Sequence, residues 1–212
     1  AQSLVIGISG GIDSSVSSTL SAMTGLKTIV LSMPIKQKSN QHDLSLKHQE
    51  WLVKKFKNVE AHTINLDELF SAFSSSLSNF DNEHGMANSR ARLRMTTLYQ
   101  VAAANKGIVV GTGNKIEDFG VGFYTKYGDG GVDISPIADC NKTEVWELGK
   151  ELGILNEIIQ APPTDGLWDD GRTDEEQLGL KYQELEEAMN NPNSPNRAKY
   201  ENIRKQNLHK ME

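Results

Sequence analysis

Cysteine is nearly absent: Cys140 is the single one in 212 residues. One thiol excludes a disulfide framework within the chain and a cysteine-based zinc cluster. Such usage fits a reducing, cytoplasmic compartment. Long apolar runs are also missing; none approaches the roughly 18 residues that a membrane-spanning helix needs, which argues against a membrane partner. The first residues show no charged-then-apolar leader, so nothing there marks the chain for secretion. Basic residues are in deficit, with 22 Lys and Arg against 28 Asp and Glu, a formal net charge of −6. That balance argues against a nucleic-acid partner, which calls for a basic surface. An anionic small ligand remains open, because a few cations and backbone N–H groups suffice locally.

What is present fits a globular domain. Residues of the AVILMFWYC set make up 37%, and there are 18 glycines, close to the usual globular share. A chain of this length is expected to form one domain over 1–212 and to bury roughly 70% of its unfolded surface. Its last part, 190–212, reads as a loop followed by a helix. Short, mostly apolar runs at 4–8, 28–31 and 107–111 and a further expected strand at 61–64 alternate with segments of helical spacing at 14–23, 43–56, 67–77 and 88–105. Apolar strands alternating with helices imply an α/β, doubly wound, mostly parallel sheet with helices on both faces. Further helices are expected at 142–152, 180–189 and 196–210. The stretch 161–172 reads as irregular, and the loop 36–41 has no clear pattern.

The strongest chemical signal is Ser9-Gly10-Gly11-Ile12-Asp13-Ser14-Ser15, set between the first strand and the first helix. Glycines let the backbone approach an oxyanion closely. The helix start adds free N–H groups and partial positive charge, a seat for phosphate. Asp13 would repel a phosphate, unless it holds a divalent cation that bridges to the phosphate oxygens. The spacing is neither Walker A nor the dinucleotide fingerprint. A plain glycine turn with Asp or Ser as helix cap is the bland alternative. A second carboxylate, Glu117, follows the end of the fourth strand at Gly111-Thr112 and falls near Asp13 if the two loops are neighbours. Two carboxylates from separate segments suit an octahedral Mg²⁺; a solvated helix carboxylate is the alternative. Lys142 follows Asn141 at an expected helix start, where a cation opposes the helix dipole. Lys126-Tyr127-Gly128-Asp129-Gly130-Gly131 joins charge to a permissive backbone. Arg90 and Arg94 share a helical face while Arg92 points elsewhere. Cys140 reads as an inert thiol. His42, His48, His62 and His84 show no metal-like pairing, and Trp51, Trp146 and Trp168 read as packing residues.

The loop Ser9 to Ser14 resembles the phosphate loop of the N-type ATP pyrophosphatases. Further stretches are similar to the ammonia-dependent NAD synthetase family and lie in family order: Asn88 to Met95, Gly111 to Glu117, Tyr124 to Asp133, Asn141 to Glu144, Pro163-Thr164-Asp165 and His209-Lys210. The resemblance implies ATP-dependent amidation of deamido-NAD to NAD with ammonia, through an acyl-adenylate, releasing AMP and pyrophosphate. It implies ATP contacts at Gly7, Ile8, Ser9, Gly10, Gly11, Ile12, Asp13, Ser14, Thr112, Lys142 and Thr164, with Mg²⁺ on Asp13 and Glu117. It places deamido-NAD on Arg92, Lys126, Asp133, His209 and Lys210. Asp129 and Lys142 take the catalytic roles, Asp129 near the reacting carboxyl and ammonia. It also implies a homodimer. Ser32-Met33-Pro34 departs from the family, many members of which carry Arg before that proline. Family members commonly start well before the phosphate loop, and no glutaminase domain is seen, so free ammonia is the expected nitrogen donor. Rival readings are another adenylating enzyme of this superfamily, of GMP synthetase or tRNA thiolase type, and a non-catalytic adenine-nucleotide sensor.

Overall fold

The structure is a computed structural model that describes residues 1–36, 39–164 and 173–211, without the side chains of 39–42. Of the expected irregular stretch at 161–172, residues from 165 onward, Trp168 among them, lie outside the described residues. So do 37 and 38 in the loop at 36–41, and the side chain of His42.

Four strands form one sheet: β1 (Ser3–Gly7), β2 (Lys27–Ser32), β3 (Val59–Thr63) and β4 (Gly107–Val110). Their order is β3-β2-β1-β4 and every pairing is parallel. Ile6 of β1 lies beside Val30 of β2 on one side and Val110 of β4 on the other. Side chains alternate between faces along a strand. Leu4, Ile6, Val30 and Val110 therefore pack with Ala22 of α1 (Ile12–Met23) and Leu52 of α2 (Ser39–Lys55). Val5, Ile29, Leu31 and Val109 pack with Phe70 of α3 (Asp67–Ser76) and Ala102 of α4 (Glu83–Ala104). Both faces are covered, as the continuous apolar strands required.

The chain steps outward from β1 to β2 to β3, then returns to place β4 on the other flank of β1. The strand ends of β1 and β4 thus border a topological switch point, the crevice where open α/β sheets bind ligands. Beyond β4 come a π-helical turn (Ile116–Val121), α5 (Lys142–Glu151), α6 (Asn156–Ile159), α7 (Asp174–Leu178), α8 (Tyr182–Asn190) and α9 (Arg197–Met211). The π turn packs with α7, α8 and α9 in a second cluster around Ile116, Leu178, Tyr182, Leu185 and Tyr200. α5 and α6 close on α1 through Ile12, Val16, Val145, Ile154 and Ile158.

Several elements depart from the sequence reading, the unexpected α6 among them. α4 begins at Glu83 rather than 88, because the Asn82 side chain caps it by accepting the Gly85 N–H at 2.8 Å. α7 was not expected; Thr173 starts it, exchanging hydrogen bonds with Glu176. The segment at 116–121, given no element in the sequence reading, is a wide π turn.

α1 is rich in hydroxyl side chains that the strand-and-loop pattern did not explain. Ser14, Ser15, Ser17, Ser18, Thr19 and Ser21 are all buried. Several turn back on the helix, as Thr19 does to Ser15 O at 2.7 Å and Ser21 to Ser17 O at 2.8 Å. Ser18 Oγ donates to Ser15 O at 3.1 Å and also meets Nε2 of His48, 3.0 Å away on α2. His48 is fully buried and stacked on Trp51, with ring centroids 5.5 Å apart. Burial pushes its imidazole down to about 4, against a backbone contact at Ser15 that raises it. The folded protein holds His48 neutral, whereas the unfolded chain protonates it near 6.5. Stability from this group is thus complete above pH 6.5 and is lost as pH falls toward 4. The full loss is about 3 kcal/mol, at about 1.4 kcal/mol per pKa unit. Urea unfolding at pH 7 and pH 5 is expected to show a larger stability drop for the native protein than for His48→Gln. Equal drops in the two proteins would contradict this.

Candidate active site

The loop after β1 is built for an oxyanion. Gly10 has φ of +90°, a conformation open to glycine at no steric cost. Ser9 and Ser14 hold the loop across its mouth, with their Oγ atoms 3.0 Å apart and the Ser9 N–H donating to Ser14 Oγ at 3.2 Å. Ser14 and Ser15 hydroxyls both donate to Gly11 O, at 3.1 and 2.9 Å. Gly11 is the N-cap of α1 and supplies no side-chain oxygen to the helix start. The first N–H groups of α1 are therefore available to phosphate.

Asp13, in the first turn of α1, is bound on both carboxylate oxygens. Asn114 Nδ2 donates to Oδ1 at 3.0 Å, and Lys142 Nζ to Oδ2 at 2.6 Å. The same Lys142 Nζ donates to Glu117 Oε1 at 3.0 Å. One ammonium thus bridges carboxylates from the ends of β1 and β4. The Lys142 side chain is 2% exposed, Asp13 17% and Glu117 15%. Burial pulls the lysine down, but Asp13, Glu117 and Asp174 overcome it and hold the ammonium above the usual lysine range. Burial raises the Glu117 carboxyl, with Lys142 acting against it.

Local sequence places each member. Asn141 caps α5, its N–H donating to Glu144 Oε2 at 2.7 Å, and Lys142 is the first helical residue. Gly149 lets α5 come close to α1: a Cβ there would lie 2.6 Å from Ile12 Cδ1. Asn114 Oδ1 accepts the N–H groups of Ile116 and Glu117, both at 3.1 Å, and so opens the π turn. Successive residues on an α-helix diverge by about 100°, but here Glu117 and Asp118 line the same pocket. Gly113 has no side chain to collide with the Asp118 carboxylate. Burial first, then Glu117, Asp129 and Asp13, push that carboxyl up to about 7. The carbonyls at the end of the π turn are taken by α9. Arg204 donates to Phe119 O and Gly120 O, Asn207 Nδ2 to Val121 O at 2.9 Å, and Lys210 Nζ to Gly122 O at 3.0 Å.

A cavity of about 420 Å³ collects these groups. Its lining includes Gly7, Ile8, Ser9, Gly10, Gly11, Ile12, Asp13, Ser14, Thr112, Glu117, Asp129, Lys142 and Thr164, all expected from sequence. Met33, Leu98 and Leu44 add apolar wall, and Arg94 reaches it with its Nε donating to Met33 O at 2.9 Å. Arg92, Lys126, Asp133, His209 and Lys210 do not line it. Four of these join a second group: Arg92 Nε donates to Lys126 O at 3.2 Å, and Lys126 Nζ to His209 O at 2.7 Å. The Lys210 ammonium is on Gly122 O, and its carbonyl accepts from Tyr124 OH at 2.7 Å. Asp133 accepts from the Val109 N–H at 2.7 Å and from Tyr99 OH at 3.1 Å, fastening β4. Sequence reasoning missed Asn114, Asp118, Tyr182 and Asp174 as site members. Asn114 and Asp118 sit within or beside a matched stretch; Tyr182 and Asp174 carry no local signal.

The donor set suits a hard divalent cation. Among the described residues no group of three or more His, Cys, Asp or Glu side chains assembles to hold a metal. A cation held by these two carboxylates would need water and phosphate oxygens to complete its shell, a set that Mg²⁺ accepts. The place between Asp13 and Glu117 already accommodates a positive charge, that of Lys142. Lys142→Met removes the ammonium and leaves two facing carboxylates, a loss of about 3–5 kcal/mol for a broken buried pair. Added Mg²⁺ is expected to raise the melting temperature of Lys142→Met by more than that of the native protein. An equal response in both would contradict the shared cation position.

Comparison with known proteins identifies the family. The family model described as NAD synthase matches residues 1–212. The NH(3)-dependent NAD(+) synthetase of Carboxydothermus hydrogenoformans is 40% identical over 194 residues, covering 89% of this chain and 77% of that protein. The enzyme of the same name from Methanosarcina acetivorans is 40% identical over 192 residues, covering 87% and 72%. Among solved structures, the NMN synthetase from Francisella tularensis superposes with a TM-score of 0.91 at 35% identity, covering all of this chain and 87% of that one. The NH3-dependent NAD synthetase from Campylobacter jejuni, in complex with nitrate, gives 0.79 at 25% identity, with the same coverage. A phosphate loop and a lysine-bridged carboxylate pair at the switch point, in a chain matched from end to end, place this protein in the NAD synthase family.

Proposed function

We propose that this chain amidates deamido-NAD to NAD with ammonia, using ATP and releasing AMP and pyrophosphate. The observation that carries the reading is the Asp13–Lys142–Glu117 bridge beside an open helix N-terminus, in a member of the NAD synthase family. ATP lies with its phosphates over Ser9 to Ser14, and Thr112 and Thr164 line the same cavity. Asp13 and Glu117 hold Mg²⁺, which supplies charge neutralisation across the phosphates when bound. Lys142 then leaves the carboxylates for the phosphate oxygens and stabilises the charge that builds on departing pyrophosphate.

The substrate carboxylate attacks the α-phosphorus, the bond to the pyrophosphate oxygen breaks, and an acyl-adenylate forms. Ammonia attacks the acyl carbon and AMP leaves, carrying the former carboxylate oxygen. Asp129 lines the cavity and is exposed, placed to hold ammonium or to take the proton ammonia loses. Arg92, Lys126, Asp133, His209 and Lys210 bind the dinucleotide outside the phosphate cavity, in a homodimer. No protein nucleophile is needed, and burial keeps the Cys140 thiol above its usual range. Positioning and electrostatics carry the rate. The enzyme is proposed to be cytoplasmic; among the described residues no helix is long and apolar enough to cross a membrane.

A second reading keeps the chemistry and shortens the substrate. The structural likeness to the NMN synthetase exceeds that to the Campylobacter NAD synthetase. It favours the nicotinic acid mononucleotide as an alternative acceptor. Initial rates with each acid, in the presence of ATP, Mg²⁺ and ammonium, separate the two readings. AMP and pyrophosphate are expected in step with amide, with the dinucleotide turned over faster; Asp13→Asn should lower turnover by about 100-fold or more. Faster turnover of the mononucleotide moves the assignment to the second reading. ADP and inorganic phosphate as products would overturn both.

A further inference from the structure

Tyr182 is the first residue of α8 and is fully buried, yet its hydroxyl sits among charges. It lies 2.6 Å from Glu117 Oε1 and 3.0 Å from Asp174 Oδ2. A phenol has one proton, so the shorter contact marks Glu117 as the principal acceptor. Glu117 Oε1 then receives two donors, Tyr182 and Lys142, while Oε2 receives none among the described residues. Two donors on one oxygen fix the carboxylate's rotation and leave the other oxygen for a cation. The Tyr182 ring lies under the same lysine, with Nζ 4.6 Å from its centroid, a favourable cation–π arrangement. Trp146 meets the ring edge-on at 6.1 Å, and the Tyr182 N–H donates to Glu175 Oε1 at 3.3 Å. The residue is held on every side before it touches Glu117.

A packing aromatic would need none of this. Phenylalanine fills such a space without placing a hydroxyl among buried acids, where a polar group has to find partners. We infer that Tyr182 is a positioning residue for the reaction: its hydroxyl orients Glu117 toward the divalent cation while its ring supports Lys142. The inference rests on the proposed role of Glu117 in holding that cation. Asp174 extends the link, since its carboxylate shares the Tyr182 hydroxyl and its N–H donates to Pro163 O at 3.0 Å, beside Thr164 of the cavity wall.

The test uses Tyr182→Phe in the full chain, with Glu117→Gln and the double variant as references. Mn²⁺ binding is read by electron paramagnetic resonance in the presence of α,β-methylene-ATP, alongside kcat, KM and melting temperature. Tyr182→Phe keeps the ring and the packing, so melting temperature and the KM for ATP should change little. Mn²⁺ binding should weaken and kcat fall by about 10-fold or more, the loss of one hydrogen bond to a charged group. The double variant should bind Mn²⁺ no more weakly than Glu117→Gln alone, as expected of residues acting through one contact. If Glu117→Gln weakens Mn²⁺ binding and Tyr182→Phe does not, the inference fails while the metal reading stands. Full additivity in the double variant also overturns it. If neither single variant changes Mn²⁺ binding, the metal reading of Glu117 falls and the inference falls with it.

Discussion

A single buried ammonium holds this site together. Lys142 joins Asp13, from the first turn of α1, to Glu117, from the turn after β4, and it reaches both from the first residue of α5. Three segments far apart in sequence must therefore meet within hydrogen-bond distance. The sheet makes that possible by setting β1 and β4 side by side, and the Gly149 contact brings α5 against α1. A buried ion pair is a weak device for stability, since desolvation offsets most of the attraction. Its presence here makes sense as chemistry. In the proposed function the charges that neutralise a triphosphate are held together, and Lys142 stands between Asp13 and Glu117, where a divalent cation would bind.

The surrounding structure serves that arrangement. Asn114 spans it, donating to Asp13 and accepting from the N–H groups that open the π turn. A π turn leaves backbone carbonyls poorly satisfied, and such turns often occur at functional sites. Here the C-terminal helix supplies Arg204, Asn207 and Lys210 to those carbonyls. The helix that the family resemblance assigns to substrate binding thus also braces the turn that carries Glu117. His209 and Lys210 illustrate the economy: the Lys210 ammonium rests on Gly122 O, and the His209 carbonyl receives Lys126.

The fold was legible wherever local pattern decides. The four strands, the glycine loop and the helices flanking them followed from periodicity and punctuation, and the glycine loop does start a helix beside the sheet's switch point. Asp13, Glu117 and Lys142 were also legible, because carboxylates at strand ends and a cation at a helix start are locally out of place. What escaped depended on distant packing. The π turn at 116–121 is stabilised by α9, more than 80 residues away along the chain, and no window of sequence contains that. Tyr182 looks like any core aromatic until Glu117 and Asp174 are beside it. α7 is too short for a helical period to stand out. The stretch Asn88 to Met95 showed its arginines, yet Arg94 lines the cavity and Arg92 does not.

In the proposed function Asp13 and Glu117 hold a divalent cation at the phosphate loop, and Lys142 yields its place there to the cation. A crystal structure with Mn²⁺ and α,β-methylene-ATP tests this most directly. An anomalous peak is expected at about 2.0–2.2 Å from both carboxylates, near the usual Mg²⁺ distance, with Lys142 Nζ moved onto a phosphate oxygen. A metal bound away from Asp13 and Glu117, with Lys142 still bridging the two carboxylates, would contradict it.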